Sequence, residues 1–209
     1  MKFIRQNLKI LIVIISSLIF LIFLGLILSD NIQIFDEKIY NMFYKTETLT
    51  NLMKIITILG ESITMIIFCI LSLLILKDKK YAFGTVINVI IITIITQSLK
   101  FLIQRPRPIG INLIDIGGFS FPSGHTTSSV AFYGFIIYMI YREYENKKIK
   151  SILITSLTVL IILIGMSRIY LGIHYASDVI ASYALATAHL IVFTLVFDKK
   201  TKKIVEETL

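Results

Sequence analysis

Apolar runs of about 20 residues recur along this 209-residue chain, and no other feature limits its fold so tightly. The first, Ile10 to Leu28, carries no charge at all. A helix of that length crosses the ~30 Å hydrocarbon core of a bilayer. Within that core every backbone N–H and C=O must be satisfied inside the protein, which leaves helices or a closed barrel. Length and continuity select helices. Composition agrees, since 56% of residues are hydrophobic and 16% charged, against about a quarter charged in a soluble domain. The predicted fold is all-α: a six-transmembrane-helix bundle with spans near 10–28, 55–76, 81–101, 123–141, 151–167 and 175–197. Residues 1–209 then form a single integral membrane domain.

Between the first two spans, Phe35, Ile39, Met42 and Phe43 recur at spacings of three and four among Asp36, Glu37, Lys38 and Lys45. That pattern predicts a short amphipathic helix lying in the interface, with a plain extramembrane loop as the alternative. Lys2, Arg5 and Lys9 ahead of the first run resemble a signal peptide. The run is long enough to span, however, and no small-x-small cleavage pattern follows it, so it is expected to stay as an uncleaved span. Cys69 lies within an apolar run and is expected only to pack.

The formal charge of +8 invites a nucleic-acid reading, but its distribution fits membrane topology better. Fourteen of the 21 basic residues fall in four segments on one side of the predicted spans. They are Lys2, Arg5 and Lys9; Lys77, Lys79 and Lys80; Arg142, Lys147, Lys148 and Lys150; and Lys199, Lys200, Lys202 and Lys203. The positive-inside rule puts these segments and both termini in the cytoplasm. Lys100, Arg105, Arg107 and Arg168 fall at the opposite face, where topology does not ask for them. Anion binding explains cations there.

Three polar stretches end at that same outer face. They are Lys100-x6-Arg107-Pro108, Pro122-Ser123-Gly124-His125, and Ser167-Arg168-x5-His174-x3-Asp178. Span parity brings them together, which scattered polar residues would not be expected to do. Pro122 suits the first turn of a helix, where its missing N–H costs nothing. The free amides of that turn, the small Gly124 and the Ser123 hydroxyl make an anion cradle at the positive end of a helix dipole. His174 and Asp178, four apart at the start of span six, are expected to share one helical face. A carboxylate beside an imidazole fixes its tautomer and leaves the other nitrogen free to attack. Arg107 offers a bidentate fork, Lys100 a point charge, and Arg168 a further cation.

These three stretches are similar to the signature KxxxxxxRP, PSGH and SRxxxxxHxxxD of the type 2 phosphatidic acid phosphatase (PAP2) superfamily, complete and in order. The resemblance implies a lipid phosphate phosphatase, in which His174 attacks phosphorus, Asp178 orients it and His125 protonates the leaving oxygen. It further implies that Lys100, Arg107, Arg168, Ser123 and the Gly124 amide hold the phosphoryl oxygens. Fixed cations then do the work of a metal, and no cofactor is expected; the sequence has no HExxH and no Cys/His cluster. The expected partners are the bilayer and a lipid phosphate, with no nucleic acid. By analogy the first expected substrate is undecaprenyl diphosphate at the outer face of the cytoplasmic membrane. The alternatives are phosphatidylglycerophosphate, phosphatidic acid, or phosphotransfer to another lipid.

Other polar residues give weaker signals. Arg105 reads as a cation at the mouth of the site or a solvated loop residue, and Glu61 as a carboxylate near the outer end of span two. His189 lies 15 residues beyond His174, roughly 22 Å along a helix, too deep to join the site. Tyr170 and Tyr175 read as interfacial aromatics.

Overall fold

The computed structural model describes residues 2–43, 45–109, 113 and 117–208. The side chains of Lys2, Arg5, Lys200, Lys202 and Lys203, part of the charge asymmetry, lie outside the described residues. All the described regular structure is helical: α1 (Lys2–Leu28), α2 (Gln33–Asn41), α3 (Glu47–Ile58), α4 (Ser62–Ile75), α5 (Lys79–Ile103), α6 (Gly124–Glu143), α7 (Lys147–Tyr170) and α8 (Ala176–Thr208). Four helices are long and apolar enough to cross a membrane, over Gln6–Leu28, Lys79–Ile103, Lys147–Tyr170 and Ala176–Lys199. The protein is a multi-pass membrane protein.

Two expected elements take another form. The span predicted over 55–76 is broken: α3 and α4 meet at Leu59-Gly60-Glu61 with a bend of 45°, and together they are long enough to cross. The stretch expected to hold one amphipathic helix, Phe35 to Met53, divides between α2 and α3. Thr46 starts α3 there by accepting the Leu49 amide at its hydroxyl, an N-cap that ends any continuous helix. The apolar pattern runs on through Leu59-Gly60-Glu61, so periodicity alone does not reveal that break.

α6 occupies the middle of the bundle, with α4, α5, α7 and α8 packed around it and α1 laid along α8. Its buried face runs from Thr126 to Phe135 and includes Thr127, Ser129 and Gly134. Such a helix needs no lipid-facing apolar coat, and it is less hydrophobic than α5 and α7. The lipid-facing coat is on the outer helices, where Leu21, Ile22, Ile63, Leu74, Ile94 and Ile152 are exposed. Within the bundle Asn88 is paired: it donates to the Ala131 carbonyl at 2.8 Å and lies 2.8 Å from His189 Nε2. His189 therefore joins α8 to α5, well away from the polar stretches described above. At the far end of the bundle Asp198 receives Arg142, the Tyr138 hydroxyl at 2.6 Å and Lys9 at 4.0 Å.

Candidate active site

The site is assembled from helix ends. α5 stops at Gln104, whose backbone takes a left-handed conformation (φ 50°) and whose amide still donates to the Lys100 carbonyl. Arg105-Pro106-Arg107-Pro108 follows, and each proline keeps the arginine before it out of helical conformation. The chain then folds back, and the Ser120 amide donates to the Arg105 carbonyl at 2.8 Å. Two of the cations bind this returning segment. Lys100 Nζ donates to the Phe119 carbonyl at 2.5 Å, and Arg107 Nε donates to the carbonyls of Gly117 and Gly118 at 3.2 and 3.1 Å.

α6 begins at Gly124 with Ser123 as N-cap, so Pro122 lies just outside the helix rather than in its first turn as expected. Ser123 is fully buried. Its Oγ accepts from the Thr126 amide at 3.4 Å and the Thr126 hydroxyl at 2.9 Å, and its own proton is used by neither bond. His125 sits in the first turn, and its Nε2 is buried without a hydrogen-bond partner among the described residues.

α7 ends in a turn that aims His174. Gly172 takes a positive φ of 73°, which only glycine adopts without steric cost. The amides of Ile173 and His174 then double back on the Arg168 carbonyl at 3.2 and 3.3 Å. Arg168 itself is 1% exposed. Its Nη1 donates to Thr57 Oγ1 at 2.5 Å, and its Nε has no partner among the described residues. His174 precedes α8 instead of opening it, yet Asp178 still reaches it, with Oδ2 at 3.6 Å from Nδ1. The same Asp178 oxygen accepts the Tyr175 amide at 3.0 Å and the Ser120 hydroxyl at 2.5 Å.

These contacts decide the tautomer of His174. Arg107 Nη1 lies 3.3 Å from His174 Nε2. A guanidinium has only donors, so Nε2 must be the unprotonated acceptor and Nδ1 carries the proton toward Asp178. Burial pushes the His174 pKa down to about 3 against the opposing pull of Asp178, so its ring is neutral at ordinary pH. Burial likewise lowers the Arg107 pKa, while Asp178 opposes the shift.

Lys100, Arg107, Gly124, His125, Arg168 and His174 all line one cavity of about 540 Å³. Of the sequence-predicted set, Ser123 and Asp178 stand behind its wall. The cavity continues as an apolar groove between α4 and α5, past Met65, Ile66, Cys69, Leu73, Val86 and Ile90. Five uncharged polar residues with side-chain hydroxyls or amides also line it: Ser62, Thr93, Thr96, Gln97 and Ser128. Three cations and two imidazoles at one end of an apolar groove suit a phosphate on a lipid.

A family profile described as the PAP2 superfamily matches residues 79–202, more than half of the chain. The chain belongs to the PAP2 superfamily. Phosphatidylglycerophosphatase B of Bacillus subtilis (strain 168) is 33% identical over 113 residues, which cover 53% of this chain and 54% of that protein. The sequence match thus spans about half the length of that relative. In three dimensions the chain is similar to the first transmembrane PAP2 type phosphatidylglycerolphosphate phosphatase from Bacillus subtilis. The TM-score is 0.78 at 26% identity, covering 88% of this chain and 96% of that one. Aquifex aeolicus LpxE shares the fold, with a TM-score of 0.59 at 24% identity over 72% of this chain and 87% of its own.

Within this PAP2 site several residues do what the sequence did not announce. Arg105 is neither at the mouth nor in solvent: it is 12% exposed at its side chain and paired with both Asp36 and Asp178. Tyr170 is fully buried, its hydroxyl 3.0 Å from Thr50 Oγ1, and the Arg105 guanidinium lies over the Tyr175 ring at 4.1 Å. Tyr170, sealed inside the bundle, is no interfacial anchor. Thr57 and Ser120 hold Arg168 and Asp178, yet a lone threonine or serine in an apolar stretch gives no signal. Asp36 gave one, a carboxylate between Phe35 and Ile39, and amphipathicity accounted for it too readily. Glu61 precedes the first turn of α4 and lies within electrostatic reach of Arg168.

Proposed function

We propose that this PAP2 protein is a lipid phosphate phosphatase that works through a phosphohistidine on His174. One observation carries the proposal: the unprotonated Nε2 of His174 opens on the same cavity as His125 and the cations Lys100, Arg107 and Arg168. Nε2 attacks phosphorus as the bond to the lipid oxygen breaks. That oxygen takes a proton from His125, whose buried Nε2 has no competing partner. Asp178 stabilises the imidazolium. Water then attacks the phosphohistidine, gives its proton back to His125 and releases phosphate. The three cations and the Gly124 amide neutralise charge on the non-bridging oxygens, Ser123 caps the turn that presents that amide, and no metal is required.

The substrate we propose is a glycerophospholipid phosphate, phosphatidylglycerophosphate first. The names of the Bacillus subtilis relatives support this choice. So do Ser62, Thr93, Gln97 and Ser128 in the cavity lining. A glycerol backbone offers ester carbonyls to such residues, whereas a polyprenyl chain has nothing polar beyond its diphosphate. This reading takes the substrate from among the alternatives the sequence left open, ahead of undecaprenyl diphosphate. The positive-inside asymmetry supports a site on the extracytoplasmic side with both termini in the cytoplasm.

The test is phosphate release by purified protein across phosphatidylglycerophosphate, phosphatidic acid and undecaprenyl diphosphate, with and without EDTA. Phosphatidylglycerophosphate should turn over fastest, EDTA should change nothing, and His174→Ala should abolish both release and acid-labile phosphoenzyme. Release from none of the three would sink the phosphatase reading. Loss with EDTA would sink the metal-free mechanism, and undecaprenyl diphosphate as the fastest substrate would reverse the substrate order.

A further inference from the structure

Arg105 is cationic, pairs directly with Asp178, and yet lines no part of the cavity. Its donors are spent elsewhere. Nη1 donates to Asp178 Oδ1 at 2.6 Å and to Ser177 Oγ at 2.8 Å, and Nη2 donates to Asp36 Oδ2 at 2.8 Å. Asp36 is 3% exposed. It accepts the Ser177 amide at 2.8 Å on Oδ1 and the Ser177 hydroxyl at 2.7 Å on Oδ2. Asp36 belongs to α2, which packs Phe35 and Ile39 against Ala176 and Val179 at the start of α8. A helix outside the matched family region therefore meets the catalytic carboxylate through one arginine.

The division of labour on Asp178 gives this contact its meaning. Oδ2 serves Ser120, the Tyr175 amide and His174, while Oδ1 is held by Arg105. A carboxylate fixed at both oxygens cannot rotate, so His174 Nδ1 always faces the same acceptor. Asp36 then balances the guanidinium. Without it, an uncompensated cation 2.6 Å from Asp178 would cancel much of the negative charge on which the imidazolium depends. Burial works against the Arg105 charge, but Asp178 and Asp36 outweigh it and raise its pKa above the usual guanidinium value.

We propose that Arg105 and Asp36 are positioning residues for the phosphohistidine reaction: Arg105 fixes the Asp178 carboxylate, and Asp36, carried by α2, keeps Arg105 from neutralising it. This inference rests on the phosphatase reading above. It separates Arg105 from Lys100, Arg107 and Arg168, which face the phosphate.

The experiment compares wild type with Arg105→Met, Asp36→Asn and the double variant. It measures kcat, KM, the inhibition constant of inorganic phosphate, and the rate of phosphoenzyme formation per folded molecule. Arg105→Met should lower kcat and phosphoenzyme formation by roughly 10- to 100-fold, the scale of a misaimed reacting group. KM and the phosphate constant should stay within about twofold, because ground-state binding is untouched. Asp36→Asn should lower kcat in the same pattern, and the double variant should be no slower than Arg105→Met, since both act through one carboxylate. Should Arg105→Met fail to fold, Asp36→Asn, which exchanges one oxygen for an amide nitrogen, carries the same expectations alone. Parallel losses in kcat and phosphate affinity would make Arg105 a phosphate ligand and overturn the inference. So would kcat values within twofold of wild type, or losses that multiply in the double variant. A wild type that releases phosphate from no lipid overturns the phosphatase reading instead, so the two failures are told apart.

Discussion

His174 shows how much a single side chain owes to its neighbours. A free imidazole titrates near 6.5, but burial holds this one down to about 3, so the folded protein keeps it neutral where the unfolded chain would protonate it. The sign follows from linkage. Between pH 6.5 and about 3 the unfolded state takes up a proton that the folded state refuses, so His174 makes stability fall as the solution is acidified. Nitrogen-15 NMR of labelled histidine should therefore show no His174 titration between pH 5 and 9 in the ligand-free protein; a midpoint near 6.5 would contradict it. Thr57 makes a second residue-level case, since it accepts from a guanidinium that is otherwise sealed from water. Thr57→Val should cost about 1–3 kcal/mol, the penalty for a buried charged donor losing its acceptor, read from denaturant unfolding in detergent. The cavity residues Lys100, Arg107, His125, Arg168 and His174 were legible because each lies in a short local pattern. Thr57 and Ser120 were not, since a hydroxyl becomes a ligand holder only through where the fold puts it.

At the level of elements the site is made from four helix ends, those of α5, α6, α7 and α8. Helix ends are where amides and carbonyls go unpaired and where chain direction changes, so charged side chains from distant segments can meet there. The three stretches expected to meet do line one cavity, while the helices long and apolar enough to cross number four, or five with the bent pair, not the six that span parity assumed. The break between α3 and α4 was not anticipated, because Ile55 to Leu76 is apolar on both sides of it and Gly60 alone is a weak signal. Packing explains the glycine. A Cβ at Gly60 would come within 2.6 Å of Ile164 Cγ2 and 3.3 Å of His125 Cβ, so the α3–α4 corner sits directly on α7 and the start of α6. Gly165 is tighter still: a Cβ there would meet the Tyr183 hydroxyl at 2.0 Å, where α7 and α8 cross. Gly165→Ala should lower stability by about 1–3 kcal/mol through overpacking, visible as a lower thermal midpoint. Gly60→Ala should lower kcat as well, since the displaced corner carries Thr57 away from Arg168 and presses on His125. Unchanged turnover in Gly60→Ala would show that the corner does not support the site.

Across the whole molecule, the polar end of the cavity and the apolar groove form one continuous space that opens toward lipid between α4 and α5. From Lys100 to Val86 the groove follows α5 for roughly 20 Å at 1.5 Å per residue, enough for much of an acyl chain. Ile90→Trp should therefore slow turnover of long-chain phosphatidylglycerophosphate several-fold or more while leaving a water-soluble aryl phosphate within about twofold, as expected when remote binding energy is lost. Equal losses on both substrates would place the tail elsewhere. The sequence by itself determined that the chain is a membrane protein of helices, and singled out the histidines and cations that meet at one cavity. Those properties reside in apolar run length and in motifs a few residues long, where local spacing is the physics. Only the tertiary structure decided what Arg105 does, because its partners Asp36 and Asp178 lie 69 and 73 residues away along the chain. A cation's role depends on which carboxylate it meets and how dry the meeting place is, and both are settled only when α2, the Arg105 loop and α8 pack together.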